Sequence, residues 1–323
     1  MPRELFTSPA HWTWLIVVYF FVGGIAGGSF FIAAMLDLVG NRADRSLSRL
    51  GYLVALPGIA IGGPLLILDL GRKERFWHML VQSETFRPMF KWWSPISFGT
   101  WIVSAFGAFA FVAFLAALVR SGDRPQRGPL VPFHKIVYGL GPLSKLFLIL
   151  GALTGLALAG YTGMLLSVTN RPVWANMNLF GINLLGLLFL ASAVSAAAAT
   201  LYLLGRRRGA GVEHESLHAL TRFDDWVLGL ELLVLIAAIV SLASFFGSVS
   251  AAWLAGWGAL LIIGVLVLGI LVPLVLYARP RMLGGNSGVL AAILVLVGSF
   301  LLRTVVVMSS ETIESLERVA HGG

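Results

Sequence analysis

Between Leu65 and Trp101 the chain reads LLILDLGRKERFWHMLVQSETFRPMFKWWSPISFGTW. An apolar run closes on Asp69, and a polar connection follows with Arg72, Lys73, Glu74, Arg75, His78, Glu84, Arg87 and Lys91. Trp92 and Trp93 then open a second apolar run. A carboxylate and an imidazole are the side chains that most readily exchange protons near neutral pH. Here they lie among bases and indoles at one surface, between two greasy segments. That grouping suits a ligand that arrives through the bilayer and trades protons with water. Asp69 has two readings: an interfacial carboxylate that closes a helix beside Arg72 or Arg75, or a proton acceptor for such a ligand. His78 divides in the same way, between an ordinary interfacial histidine and a proton-exchanging one.

Tyr19, Tyr161, Glu231 and Arg303 lie inside apolar runs, where an unpaired polar group is costly enough to need a reason. Tyr19 and Tyr161 are phenols, and a buried phenol wants a partner for its hydroxyl. Either serves as a helix–helix hydrogen bond or as a ligand contact. Tyr161 sits in LAGYTGMLL, where Gly160 and Gly163 clear space around the ring. Glu231 and Arg303 read as a structural ion pair with snorkelling, or as steps of a proton path to the opposite surface.

Placing these groups requires a membrane scaffold. The 323 residues are 58% hydrophobic and 12% charged, about half the ~25% charged fraction usual in soluble proteins. The bilayer is therefore the expected solvent. With no cysteine, disulfides, iron–sulfur ligation and covalent haem attachment are excluded from this chain. His11, His78, His134, His214, His218 and His321 all fall at segment ends or in connections, so no haem and no metal site is expected. The net charge of +8 reads as loops facing anionic lipid, not as a nucleic-acid surface. The N-terminus lacks the basic start of a cleavable signal.

Requiring about 20 apolar residues without a central charge predicts an all-α integral membrane protein of eight spans. They cover 12–38, 50–68, 93–119, 143–168, 174–204, 226–246, 256–277 and 288–308. The fifth is too long to stand upright, so its first turns are expected outside the core. Residues 247–255 form an uncharged break, and an acidic amphipathic tail follows the last span. Residues 12–168 and 174–308 are read as two four-helix bundles, without a sequence repeat between them. Thirteen Lys and Arg fall in the odd connections, against eight on the side of the termini. That bias puts the termini and the 70–92 connection outside. The five bases of that connection run against the trend, which points to a site or a partner. Gly23, Gly24, Gly27 and Gly28 form overlapping Gly-x-x-x-Gly pairs, a helix-packing signal.

The chain resembles the NrfD / polysulfide reductase membrane-subunit family over nearly its full length. The features that carry the likeness are Tyr19 with GGIAGG at 23–28, LLILDLGRKERFWHML at 65–80 and WWSPISFGTW at 92–101, with YTGMLL at 161–166, RPVW at 171–174 and Arg303. Lys73 stands where the family usually has Pro. The resemblance implies a metal-free, eight-helix subunit of a bacterial or archaeal cytoplasmic membrane that binds a quinone, menaquinone or ubiquinone. It implies a ferredoxin-like iron–sulfur partner, which docks a catalytic subunit that is often a molybdopterin enzyme. It places the quinone near the first, second and fourth helices on the partner's side, commonly periplasmic. Tyr19, Asp69 and Tyr161 are the positions carried over. Arg72, His78 and Arg171 join them as residues of the same surface.

The leading reading is thus a quinone-reactive membrane anchor of a respiratory oxidoreductase, not catalytic alone. The five-base connection is read as an electropositive docking rim as well. A proton-coupled secondary transporter is the alternative, on the strength of the Gly62–Pro64 helix break, Glu231 and Arg303. A redox-inert anchor is the third reading.

Overall fold

The computed structural model describes residues 12–121, 124–125, 128–168, 174, 177–179, 181–207, 211–243, 254–279 and 286–320. Nearly all of them are helical. The helices are α1 (Trp14–Val39), α2 (Arg45–Leu68), α3 (Pro95–Val119), the short α4 (Val131–Tyr138) and α5 (Pro142–Ser167). They continue as α6 (Leu184–Gly205), α7 (His214–Ala243), α8 (Gly256–Ala278) and α9 (Ser287–Ala320). Much of α8 is wound as a π-helix, over Leu260–Leu271.

Seven of these helices, all except α4 and α7, are long and apolar enough to cross a membrane among the described residues. The expectation of an eighth falls on α7. It starts at His214, three turns before the expected Trp226, and so brings Asp224 and Asp225 into the same helix as Glu231. The fifth span also starts later than expected. Trp174 stands in the connection, Asn178–Leu179 pairs antiparallel with Ile182–Asn183, and α6 begins only at Leu184. The side chain of Asn183 caps α6 by accepting from the Gly186 N–H at 2.7 Å, the usual way an N-terminus satisfies its unpaired donors. Most of the 247–255 break lies outside the described residues.

Helix α1 runs through the centre, in contact with α2, α5, α6 and α9. Its glycines explain how. A Cβ on Gly27 would stand 2.3 Å from the Gly155 carbonyl oxygen of α5, and one on Gly28 would stand 2.7 Å from the Ala197 Cβ of α6. Two faces of one helix are thus cleared for backbone approach, the means of association where lipid removes the hydrophobic drive between helices. Further on, α8 and α9 cross at Gly269 and Gly298, where a Cβ added to Gly269 would lie 2.6 Å from the facing Cα. Helix α2 stays continuous through Pro57 and Pro64.

The buried side chains form two main clusters. One gathers Phe30, Tyr52, Phe106, Leu148 and Leu158 from α1, α2, α3 and α5. The other joins the start of α1, with Tyr19 and Phe20, to α6, α7, α8 and α9. Buried Trp174 belongs to the second, and its Nε1–H donates to the Val306 carbonyl of α9 at 2.8 Å.

Candidate functional site

The polar connection after α2 is held in place from both ends. Asp69 ends α2, its N–H bonding back to the Leu65 carbonyl at 3.2 Å. Its Oδ1 accepts from Thr13 Oγ1 at 2.5 Å, and Thr13 in turn caps α1 by accepting from the Leu15 N–H. The carboxylate therefore sits where α1 starts and α2 stops. Residues Lys73–Met79 wind into a 3-10 helix that leaves Arg72, Lys73 and Arg75 exposed and His78 half-buried against the Trp77 ring, 4.0 Å away. At the far end Trp101 Nε1–H and Ser97 Oγ–H both donate to the Met89 carbonyl, at 2.9 and 3.3 Å. The connection is pinned to α3. Its rim is aromatic: Phe86, Trp92 and Trp93 are strongly exposed.

Tyr161 lies directly inside that rim. Its hydroxyl donates to the Pro95 carbonyl at 2.5 Å. The ring lies over Gly99, where a Cβ would come within 2.1 Å of it. Any larger residue at 99 expels the phenol from this position. Behind it, Tyr19 is 1% exposed and packs its ring on Gly23 of α1 and Gly62 of α2. The two phenols are close enough to interact electrostatically. The Tyr19 hydroxyl has no hydrogen-bond partner among the described residues. Buried polar atoms are nearly always paired, so an orphan of this kind calls for an explanation.

Tyr161 also lines a cleft of about 650 Å³ between α3, α5 and α6, to which the Ile182–Asn183 strand contributes. Its walls are apolar, including Phe98, Ile102, Leu156, Leu187 and Leu190, and Trp92 and Trp93 stand over it. Tyr161 and Asn183 supply its polar edges. The Asn183 amide is held by Ser167 Oγ and the Gly186 N–H.

The structure thus brings Tyr19 and Tyr161 together, in contact with α1, α2, α3 and α5. Asp69, Arg72 and His78 share the adjoining surface and are not among the cleft's lining residues. Arg171 lies outside the described residues. Arg303 is buried and spans two parts of the molecule. Its Nε donates to the Phe20 carbonyl of α1 at 3.1 Å, and Nη1 donates to Ser299 Oγ at 2.7 Å and Ser192 Oγ at 3.3 Å. Glu231 lies beside the same Ser192 and within electrostatic reach of Arg303. A buried cation is tolerated when paired and fully hydrogen-bonded in this way.

A model of one protein family, described as "Polysulphide reductase, NrfD", matches residues 5–314. The chain belongs to that family. As an NrfD-family member it is 28% identical to the C chain of the polysulfide reductase of Wolinella succinogenes over 317 residues, 93% of this chain and 94% of the relative. It is 27% identical to "Protein NrfD" of Escherichia coli over 298 residues, 87% of this chain and 88% of that protein. A shorter stretch of 84 residues is 30% identical to the C subunit of the selenate reductase of Mesobacillus selenatarsenatis, 26% of this chain and 20% of the relative. The NrfD-family chain is a multi-pass membrane protein. Its motifs have definite packing duties: the glycines at 23–28 seat α1, and SPISFGTW supplies Pro95, Gly99 and Trp101.

Sequence reasoning missed Asp224. It is 1% exposed, with Ser195 Oγ–H donating to Oδ1 at 2.7 Å and Tyr277 Oη–H donating to Oδ2 at 3.1 Å. A signal was present. Asp224 and Glu231 are seven residues apart, two helical turns, and so share a face. Drawing the span from Trp226 hid that relation.

Proposed function

We propose that this chain is the quinone-reactive membrane subunit of a multi-subunit respiratory oxidoreductase. It would exchange electrons with an iron–sulfur partner, itself bound to a catalytic subunit of molybdopterin type, and protons with the membrane surface. The observation that carries the reading is Tyr161, which lines an apolar cleft at the aromatic rim and lies within electrostatic reach of Tyr19, whose buried hydroxyl has no partner among the described residues. The likeness to parts of a polysulfide reductase and a selenate reductase supports it.

The residues fit such a ligand. Ligand clefts are typically about 300–1,000 Å³, mostly apolar, with few polar groups that fix orientation. A bound quinone, menaquinone or ubiquinone, supplies a two-electron, two-proton couple that a chain without cysteine does not provide by itself. Tyr161, whose own proton goes to the Pro95 carbonyl, offers its hydroxyl oxygen as acceptor to a quinol head group, and Tyr19 holds a second, unpaired hydroxyl nearby. Trp92 and Trp93 keep water from the mouth. Asp69, with Thr13 as its proton-donating neighbour, and His78 exchange protons with the adjoining water. Arg72 and Arg171 add positive charge at that surface. The exposed bases Arg72, Lys73 and Arg75 form a rim that steers an acidic face of the partner.

In this reading α7 completes eight crossings, with Asp224 and Glu231 turned inward, arranged as two four-helix bundles over 12–168 and 174–308. The termini and the 70–92 connection face the outer side. Half-buried Tyr277 and the buried Asp224, Ser195, Glu231, Ser192 and Arg303 then form a proton route ending beside Phe20. A secondary transporter is the second reading, favoured by that same buried line of polar groups.

The test is purification with the partner subunits, followed by quinol-linked and dye-linked assays. Tyr161→Phe, and Ala157→Trp to fill the cleft, are expected to lower the quinol-linked rate at least tenfold while dye-linked activity of the soluble subunits persists. Unchanged quinol-linked rates in both variants overturn the reading.

A further inference from the structure

At the end of the molecule opposite Asp69, helices α6, α7, α8 and α9 part around a second cavity, of about 340 Å³. Its chemistry is unlike that of the apolar cleft. Arg206, His214, His218 and Thr221 line it together with the phenols of Tyr202 and Tyr277. No carboxylate is among the described lining residues. The nearest buried acid, Asp224, lies behind Tyr277 and has both oxygens engaged, by Tyr277 and Ser195. The described lining residues are thus hydrogen-bond donors with the positive charge of Arg206 among them.

The set is also arranged in advance. His214, His218 and Thr221 recur at the spacing of successive turns and so present one face of α7. Arg206 is held over the cavity by its Nη1–H donating to Tyr202 Oη at 3.2 Å. Tyr202 in turn depends on Gly288, where a Cβ would stand 2.3 Å from its hydroxyl oxygen. Leu217 and Leu276 supply an apolar flank. An Arg fork beside imidazoles matches the oxygens of a phosphate, and an adjoining apolar flank matches the start of an acyl chain.

We infer that this cavity binds a phosphate-type anion, as the headgroup phosphodiester of an anionic phospholipid or as free inorganic phosphate. Basic pockets between membrane helices are suited to such headgroups. The site lies apart from the quinone reading and does not depend on it.

The experiment uses the full chain, purified in nonionic detergent and delipidated. Retention of added phosphatidylglycerol is followed by native mass spectrometry, and thermal stability is measured beside it. Phosphatidylcholine and millimolar inorganic phosphate are the parallel arms. Wild type is expected to retain phosphatidylglycerol over phosphatidylcholine. The H214Q/H218Q double variant and R206Q are each expected to lose that preference by roughly tenfold, the scale of one charge-assisted hydrogen bond. Protection by inorganic phosphate alone assigns the site to the free anion. Glu215→Gln, on the same helix but outside the lining, is expected to leave retention unchanged. H218Q alone stands in if the double variant does not fold. Equal retention of both lipids without protection by phosphate overturns the inference. So does wild-type retention in the cavity variants, or an equal loss in Glu215→Gln.

Discussion

Arg303 Nε donates to the backbone carbonyl of Phe20 at 3.1 Å, which ties the last helix to the residue beside Tyr19 on the first. The same guanidinium holds Ser299 and Ser192 and lies 5.3 Å from the Phe189 ring. One side chain therefore joins α1, α6 and α9. Removing it takes the charged donor away from the Phe20 carbonyl and from the Ser192–Ser299 pair, and leaves Glu231 without its nearby cation. Arg303→Leu is expected to destabilise the fold by about 3 kcal/mol, the scale for breaking a buried charged network. Chemical denaturation in detergent measures this, and a change under about 0.5 kcal/mol contradicts the network.

Tyr19 makes the opposite prediction. A buried hydroxyl without a partner costs about 1–3 kcal/mol. Tyr19→Phe is expected to raise stability by about 1 kcal/mol on that ground. If the hydroxyl serves a ligand, the same variant loses quinol-linked rate. A gain in stability with a loss of rate is the mark of a functional group kept at a cost. Paired unfolding and activity assays read both, and lower stability of the variant contradicts the orphan.

Two glycines test the packing of the central helix. Gly27→Leu drives a side chain into the Gly155 carbonyl of α5 and is expected to cost more than about 3 kcal/mol, beyond ordinary overpacking. Gly107 in α3 has nothing within 4 Å of an added Cβ. Gly107→Ala should be neutral or stabilising by up to about 1 kcal/mol through helix propensity. Size-exclusion profiles and thermal unfolding separate the two. A monodisperse, wild-type-like Gly27→Leu protein counts against the α1–α5 contact.

Asp224→Asn tests the proposed proton route. Ser195 and Tyr277 are able to keep hydrogen bonds to an amide, so folding is expected to survive. Proton movement across reconstituted vesicles, followed with a pH-sensitive dye, should fall at least tenfold, while electron transfer persists at a reduced rate. Wild-type proton movement rules out Asp224 as a step.

The docking rim gives a salt-dependent test. Replacing Arg72, Lys73 and Arg75 together by Gln removes three exposed charges and should reduce recovery of the partner subunits most strongly below about 0.15 M salt, the difference from wild type shrinking as added salt screens the rim. Unchanged recovery at all salt concentrations dismisses the rim.

The residues alone determined the membrane class, because a chain 58% hydrophobic and 12% charged has no other way to solvate itself. They also identified the glycine strip of α1, since small residues at a four-residue spacing have one main use between helices. The family was legible in motifs whose residues turn out to contact each other, such as Tyr161 with Pro95 and Gly99. What only the tertiary structure decided is which polar groups meet. Asp224 pairs with Ser195 and Tyr277, 29 and 53 residues away. Arg303 reaches Phe20 across 283 residues. Such pairings depend on how helices rotate and approach, and periodicity in a single helix carries no information about its neighbour's rotation. The start of α6 at Leu184 instead of Trp174 has the same origin. Trp174 is as apolar as a span residue, but its indole hydrogen bond to Val306 draws it into a buried connection.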